Sequence, residues 1–490
     1  MSQNIIEKLL KQVSLYFSSS VIITLAGFIT FPIWTRVFSA AEYGKMSIAA
    51  ATLGFVIVLS KMGINSAALR FYSEFAEHKR DLDFTYYYST AFLSILVNSI
   101  FTAFVFIMVV EFYPALQSDP QYKNIFRILP VMLIFESLID IFLLFLRAEQ
   151  KVKSHSISRI ALRYGNMVIT LLFVLVFNLG LIGYFIGSAL IDALVAMILG
   201  YHYFQQGKIR LTHFSVPLLK ESISYGLPLI GLELSALLLT TGDRFLLQHF
   251  LGSEAVGLYS VSTNLVNYLV DFFADALKLA VLPILMIIWE RDGKEESQHF
   301  LTQVSRLYLI ISIPIIFAVS FYGRDFIVLL ASEKFASGSI ILPFIVTGHS
   351  IHKANFLFGA GLYLMKKTKL LSAIIIGSAI INIIINIILI PLLGLLGSAV
   401  TTLITFVIET ILLILISFRT VNFKLDVNAL FKYSAISLAM VLVMFIIKGS
   451  GSLQTIIMII VGFVTYSGGI LIFEEQVRIK VGKVFARIFA

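Results

Sequence analysis

Leu370–Ile408 reads LLSAIIIGSAIINIIINIILIPLLGLLGSAVTTLITFVI, 39 residues between Lys369 and Glu409 without a charged side chain. One helix needs about 20 apolar residues to cross a bilayer. The run is therefore two spans joined by a tight turn at Pro391-Leu392-Leu393-Gly394-Leu395-Leu396-Gly397. An echo lies upstream: Tyr164–Ile191 is 28 uncharged residues broken at Asn178-Leu179-Gly180-Leu181-Ile182-Gly183. Gly180 and Gly394 are 214 positions apart, as are Gly183 and Gly397. Ala41-Glu42-Tyr43-Gly44 and Glu254-Ala255-Val256-Gly257 place a third pair of glycines 213 apart. The chain is a duplicated membrane protein, and duplicated bundles with a site between them are the usual build of secondary transporters.

Composition agrees. A mean hydropathy of +0.94, with 59% hydrophobic and 13% charged residues, excludes both a soluble domain and a disordered chain. The 490 residues include no cysteine, which removes disulfides, thiolate metal sites and cysteine nucleophiles. Met1–Ser20 carries Glu7, Lys8 and Lys11, has no cleavable signal pattern, and reads as an amphipathic surface helix leading into the first span.

Apolar runs bounded by charges give fourteen expected spans, near 15–35, 45–62, 85–110, 125–146, 160–178, 181–203, 223–249, 255–288, 303–321, 340–364, 371–390, 395–417, 433–447 and 453–473. Of the 37 Lys and Arg residues, 25 fall in one set of alternating segments and 7 in the other. Positive charge collects on the cytoplasmic side, so both termini are expected there. The net charge of +9 follows from this bias and needs no nucleic-acid partner. No loop is long enough to be a domain, so function rests on the spans.

Each ionisable residue inside a span costs about 2.5–3.5 kcal/mol at the bilayer centre and needs a reason. Glu233, Asp243 and Arg244 lie in the seventh span. Asp271, Asp275 and Lys278 share one face of the eighth. Lys61 ends the second, and His349 and Lys353 are four apart in the tenth. Glu136 and Asp140 are four apart in the fourth, while Asp192 and Glu409 occupy the sixth and twelfth. Asn98, Asn382 and Asn386 read as hydrogen-bond links between helices. Asp243-Arg244 reads as an ion pair near the outer surface, structural or gating. An inner cavity with cations and acids together suits an anionic head group arriving from the cytoplasmic leaflet. Lys61, Lys278 and Lys353 are the expected cavity cations, with Arg70 at the entrance. Asp271 and Asp275, with Glu233 as a third member, are the expected sites for a coupling proton or Na⁺.

An enzyme has little support. Asp81-Leu82-Asp83 has the Asp-x-Asp form of a metal–nucleotide-sugar site, but it adjoins His78-Lys79-Arg80 on a short loop and reads as a solvated charge run. Phosphate-cradling glycine loops and hydrolase motifs are missing.

The chain resembles the Wzx-type flippases of lipid-linked polysaccharide repeat units, which belong to the multidrug/oligosaccharidyl-lipid/polysaccharide exporter superfamily. The likeness is carried by Arg36-Val37-Phe38 with Glu42-Tyr43-Gly44, and by Lys61-Met62-Gly63 through Leu69-Arg70-Phe71-Tyr72. It continues in Pro228, Asp243-Arg244-Phe245-Leu246-Leu247, Val256-Gly257-Leu258-Tyr259-Ser260, and Asn382–Asn386 with Pro391–Thr402. The resemblance implies an all-α polytopic membrane protein of about fourteen helices. Its lobes would be residues 1–210 and 211–420, with spans 13 and 14 and a cytoplasmic tail in 421–490. It implies a bacterial inner-membrane flippase, not an enzyme, that moves undecaprenyl-diphosphate-linked oligosaccharide by alternating access. No cofactor is implied beyond a coupling proton or Na⁺. A polysaccharide polymerase and a chain-length regulator are the implied partners. A drug/cation antiporter of the same superfamily is the alternative, although Leu15–Thr35 lacks the acidic residue expected of one. A polymerase or membrane glycosyltransferase is a weaker one, because the outer loops are short.

Overall fold

The computed structural model describes residues 3–76, 83–114, 119–449 and 451–474, with side chains from Ser18 onward. The charge run at 78–82, the side chains of the N-terminal helix and the tail beyond 474 lie outside the described residues. Among the described residues all regular structure is helical. Thirteen helices are long and apolar enough to span a membrane, which makes the chain an all-α polytopic membrane protein.

The first seven helices are α1 Gln3–Val37, α2 Ala40–Lys61, α3 Ile64–Ala76, α4 Phe84–Phe112, α5 Pro120–Ala148, α6 Val152–Leu171 and α7 Gly180–Gln205. A π turn, Leu172–Val176, extends α6. Then come α8 Val216–Thr241, α9 Asp243–Leu251, α10 Ser253–Arg291 and α11 Gly293–Leu330. The remainder is α12 Leu342–Lys353, α13 Asn355–Phe358, α14 Ala360–Leu364, α15 Thr368–Leu393, α16 Leu395–Ser417, α17 Val427–Ile447 and α18 Ser452–Phe473.

Local chemistry sets the boundaries. Ser39 and Glu42 form a reciprocal cap on α2: the Glu42 N–H donates to Ser39 Oγ at 3.2 Å, and the Ser39 N–H donates to Glu42 Oε2 at 3.0 Å. Met62 and Gly63 take positive φ (47° and 70°) and turn α2 into α3. α3 buries Ile64, Ala67, Ala68, Phe71 and Phe75 on one stripe and leaves Arg70 exposed. The repeated glycines share a purpose. Gly394 (φ +61°) is the whole turn between α15 and α16, and Gly180 (φ +56°) opens α7 after the π turn. A side chain at either position would strain the backbone. Gly44 and Gly257 are matched differently: a Cβ on Gly44 would strike the Ser253 carbonyl, and one on Gly257 the Ala40 carbonyl.

The expected tenth span is not one rod. A 3₁₀ segment, Glu333–Ile341, leads into three short helices broken at Ala354 and Gly359. Broken backbone survives at membrane depth only when its polar groups are satisfied inside protein. Here α16 supplies one such partner, the Gly361 N–H donating to Ser417 Oγ at 2.9 Å, and a side-chain link, Thr410 Oγ1 donating to Asn355 Oδ1 at 2.6 Å. Apolar counting sees the length of this stretch but not its breaks.

The chain divides into two compact units, Met1–Gly257 with Ile375–Ile383, and Leu258–Ile374 with Ile384–Ala490. The first has an aromatic core of Phe71, Phe75, Tyr87, Tyr88, Phe92, Phe142, Phe145 and Tyr203 on α3, α4, α5 and α7. Beneath it the loops are tied to Glu149, whose side chain is 6% exposed. Tyr88 Oη, Lys208 Nζ and Lys151 Nζ approach its carboxylate at 2.7, 2.7 and 2.6 Å. Burial pushes the Glu149 carboxyl up, but the bonds from the two lysines and Tyr88 outweigh it and hold it below the ordinary glutamate value.

In the second unit Glu474, immediately after α18, accepts from Arg306 of α11 at 2.7 and 2.9 Å and from Lys432 of α17 at 2.9 Å. The last two spans are thereby fastened to α11.

Candidate functional site

The first unit holds a cavity of about 370 Å³ with a half-polar lining. The α2–α3 turn brings Asn65 and Ser66 to it, and α5 contributes Asp140 and Arg147. His155 and Arg159 arrive from α6 at a spacing of four, and Glu233 comes from α8. Lys61, at the end of α2, donates to Asp140 at 2.8 Å. Its side chain is 14% exposed, so α2 buries the stem and presents the ammonium to the cavity acid. Arg147 and Arg159 are exposed to the cavity, and neither forms an ion pair among the described residues. His155 is buried within electrostatic reach of both. With Lys61 and Asp140 cancelling, two guanidinium groups face one carboxylate, Glu233. The cavity therefore has an excess of positive charge and ten N–H donors suited to phosphate oxygens.

The second unit gathers three expected residues differently. Lys353 Nζ lies 3.0 Å from Asp271 Oδ1 and donates to Asp275 at 3.1 and 3.3 Å. The expected cation and the two expected coupling carboxylates are one ion triad. Lys278, one turn beyond Asp275, is exposed and has no partner among the described residues. Beside the triad, His352 Nδ1 lies 2.8 Å from Glu409 Oε2, and its ring stacks on Phe406 at 4.3 Å.

The other expected residues are dispersed. Glu233 lies in the first unit's cavity, whereas Asp271 and Asp275 belong to the second unit. Arg70 sits on α3 over the Tyr225 ring at 4.5 Å and 3.7 Å from Glu74, and it does not line the cavity. Asp243 is buried at the first position of α9, where a carboxylate meets the positive end of a helix, and Arg244 follows it half-buried. Asn98 Nδ2 donates to the Ser60 carbonyl and links α4 to α2, as a helix-joining amide does. Sequence reading missed Arg147, His155 and Arg159 because they fall among the loop-flanking charges that set orientation. The one available signal was their spacing: His155 and Arg159 recur at four, beside an arginine eight residues upstream of the histidine.

The second unit also has an apolar cavity of about 650 Å³, lined by Leu269 of α10, Ile310 and Pro314 of α11, Met440 of α17 and Phe463 and Ile470 of α18.

Residues 9–289, more than half of the chain, match the family model described as polysaccharide biosynthesis protein. The chain belongs to that family. It is 25% identical over 394 residues to the uncharacterised membrane protein MJ1068 of Methanocaldococcus jannaschii, covering 75% of this chain and 76% of that one. A shorter stretch of 163 residues, 33% of this chain and 34% of the relative, is 20% identical to the probable low-salt glycan biosynthesis flippase Agl15 of Haloferax volcanii. Among solved structures, the lipid II flippase MurJ in an inward closed conformation superposes with a TM-score of 0.74 at 18% identity, covering 94% of this chain and 99% of that one. An inward-facing multidrug resistance MATE family transporter gives 0.64 at 13% identity, over 81% and 94% of the two chains. The relatives with a described role are flippases and transporters, not catalysts. This polysaccharide biosynthesis family member shares its fold with that lipid II flippase and that MATE family transporter.

Proposed function

We propose that the protein moves lipid-linked oligosaccharide units, carried on undecaprenyl diphosphate, from the cytoplasmic to the outer leaflet of a bacterial inner membrane by alternating access. The observation that carries this reading is the arginine cavity of the first unit. A diphosphate brings about two negative charges, and placing it in a low-dielectric bundle without cations is prohibitive. Arg147 and Arg159, which form no ion pair among the described residues, would replace its hydration. The apolar cavity of the second unit matches the chemistry of a polyprenyl chain. The Lys353–Asp271–Asp275 triad fits ion coupling, because two carboxylates one turn apart can take a proton or Na⁺ when Lys353 moves away. A polysaccharide polymerase and a chain-length regulator would use the delivered unit.

A drug/cation antiporter is disfavoured by the surplus of positive charge in the cavity. The test is translocation of a fluorescent lipid-linked oligosaccharide by purified protein in liposomes, with and without an imposed ion gradient. Arg147→Gln combined with Arg159→Gln is expected to slow it at least about tenfold, as the loss of two charge-assisted contacts implies. Unchanged transport in that variant, or transport of a cationic dye in place of the oligosaccharide, overturns the reading.

A further inference from the structure

Behind the arginine cavity lies a group of carboxylates that anion binding alone does not explain. Asp192, in the middle of α7, is 4% exposed, and its Oδ2 is buried without a hydrogen-bond partner. The charged groups acting on Glu136 of α5 are Asp192, Asp140 one turn along the same helix, and Lys61 of α2. α5 and α7 pack against each other, which sets Glu136 and Asp192 on facing helices. α4 also packs on α5, but its acid, Glu111, lies at the far end, held by Arg127 at 2.6 Å and Lys123 at 3.0 Å. From α6, His155 and Arg159 line the cavity side, and from α3 Arg70 pairs with Glu74. Three carboxyl groups therefore share one cation, Lys61, and Lys61 is committed to Asp140. Glu136 and Asp192 make no ion pair among the described residues.

A carboxylate buried as Asp192 is, without a counter-charge, costs several kcal/mol, and a second, half-buried carboxylate on the facing helix adds to that cost. We propose that Glu136 and Asp192 form a proton-binding carboxyl pair whose occupancy is linked, through Asp140 and Lys61, to an anion in the cavity. A phosphate or diphosphate group that draws Lys61 toward the arginines takes from the group the cation that Asp140 holds. Asp140 is then left unpaired, and the group takes a proton from cavity water, so anion binding and proton uptake rise together. The site differs from the Asp271–Asp275 triad in the helices that build it and in that, among the described residues, no lysine bridges Glu136 and Asp192. The linkage, but not the protonated pair, rests on the anion reading of the cavity.

Two measurements on the full-length protein separate these parts. Infrared spectroscopy without any ligand reads the C=O stretch of protonated carboxyls at neutral pH. Glu136→Gln and Asp192→Asn are each expected to diminish that band, whereas Asp325→Asn, at a carboxylate bonded to Lys448 at 2.8 Å, leaves it unchanged. Gln and Asn imitate the neutral acids, so both variants are expected to fold with an unchanged melting temperature at neutral pH. A band untouched by either substitution, or a marked loss of stability at neutral pH in both, overturns the pair. The second measurement adds inorganic pyrophosphate in weak buffer with a pH indicator and expects uptake of about one proton per site. Lys61→Gln is expected to abolish that uptake while the infrared band persists. Pyrophosphate that binds with no uptake overturns the linkage. If pyrophosphate does not bind but the infrared result stands, the anion reading fails and the proton pair survives.

Discussion

At the scale of single residues, Glu149 and Lys353 show how one charge organises a region. The Glu149 carboxyl is held below its ordinary value of 4.5 by Lys151, Lys208 and Tyr88 despite burial. A depressed carboxyl adds stability that is present in full above 4.5 and is lost as pH falls through its folded value. Glu149→Gln is therefore expected to lower the thermal midpoint at neutral pH by the equivalent of about 2–4 kcal/mol, with wild type and variant converging in acid. Melting curves across pH check both parts. Lys353 is 23% exposed and its partners 33% and 56%, so solvent discounts the triad. Lys353→Gln is expected to cost about 1–2 kcal/mol, more than Asp275→Asn. Gradient-driven transport then tells a bridge from a coupling site. If Asp271→Asn and Asp275→Asn keep their stability but no longer respond to an imposed gradient, the acids couple an ion. If both melt early and any remaining transport still follows the gradient, the triad is a strut.

At the scale of elements, the echo between Gly180 and Gly394 is a matter of turn geometry. A single residue at φ +61° and ψ −135° reverses the chain between α15 and α16, a conformation that an L side chain rarely adopts. Gly394→Ala is expected to cost about 1–3 kcal/mol, measured as a fall in melting temperature in detergent. The broken tenth crossing makes the opposite lesson. Its length and composition were legible, but its division at Ala354 and Gly359 depends on hydrogen bonds from Thr410 and to Ser417 on another helix. A pattern within one segment cannot register partners 55 and 56 residues away.

At the scale of the whole molecule, the distribution of basic residues predicts the topology. Arg324 and Lys334 precede the broken segment and Lys366, Lys367 and Lys369 follow it, so α12 to α14 are expected to cross the membrane despite their breaks. Their residues 342–364, at 1.5 Å each, would reach about 34 Å as one straight helix, enough for the hydrocarbon core of about 30 Å. Because the chain lacks cysteine, one introduced thiol reports cleanly. Ser332→Cys is expected to react with an impermeant reagent added outside whole cells, and Ser154→Cys and Thr368→Cys are not. The reverse pattern overturns the orientation.

The amino-acid sequence by itself determined that this chain is a bundle of membrane helices, because span length and turn glycines are local properties that the bilayer selects one segment at a time. It also located acids and cations at costly positions, since a charge inside an apolar run stands out whatever surrounds it. Which of those charges meet was decided only by tertiary structure. Lys61 reaches Asp140 across 79 positions and Lys353 reaches Asp275 across 78, distances over which no periodicity carries information. The arginines of the cavity escaped notice for the same reason. Arg147 and Arg159 look like ordinary loop-flanking charges until α3, α5, α6 and α8 converge around them, and only that packing gives them a shared space to face.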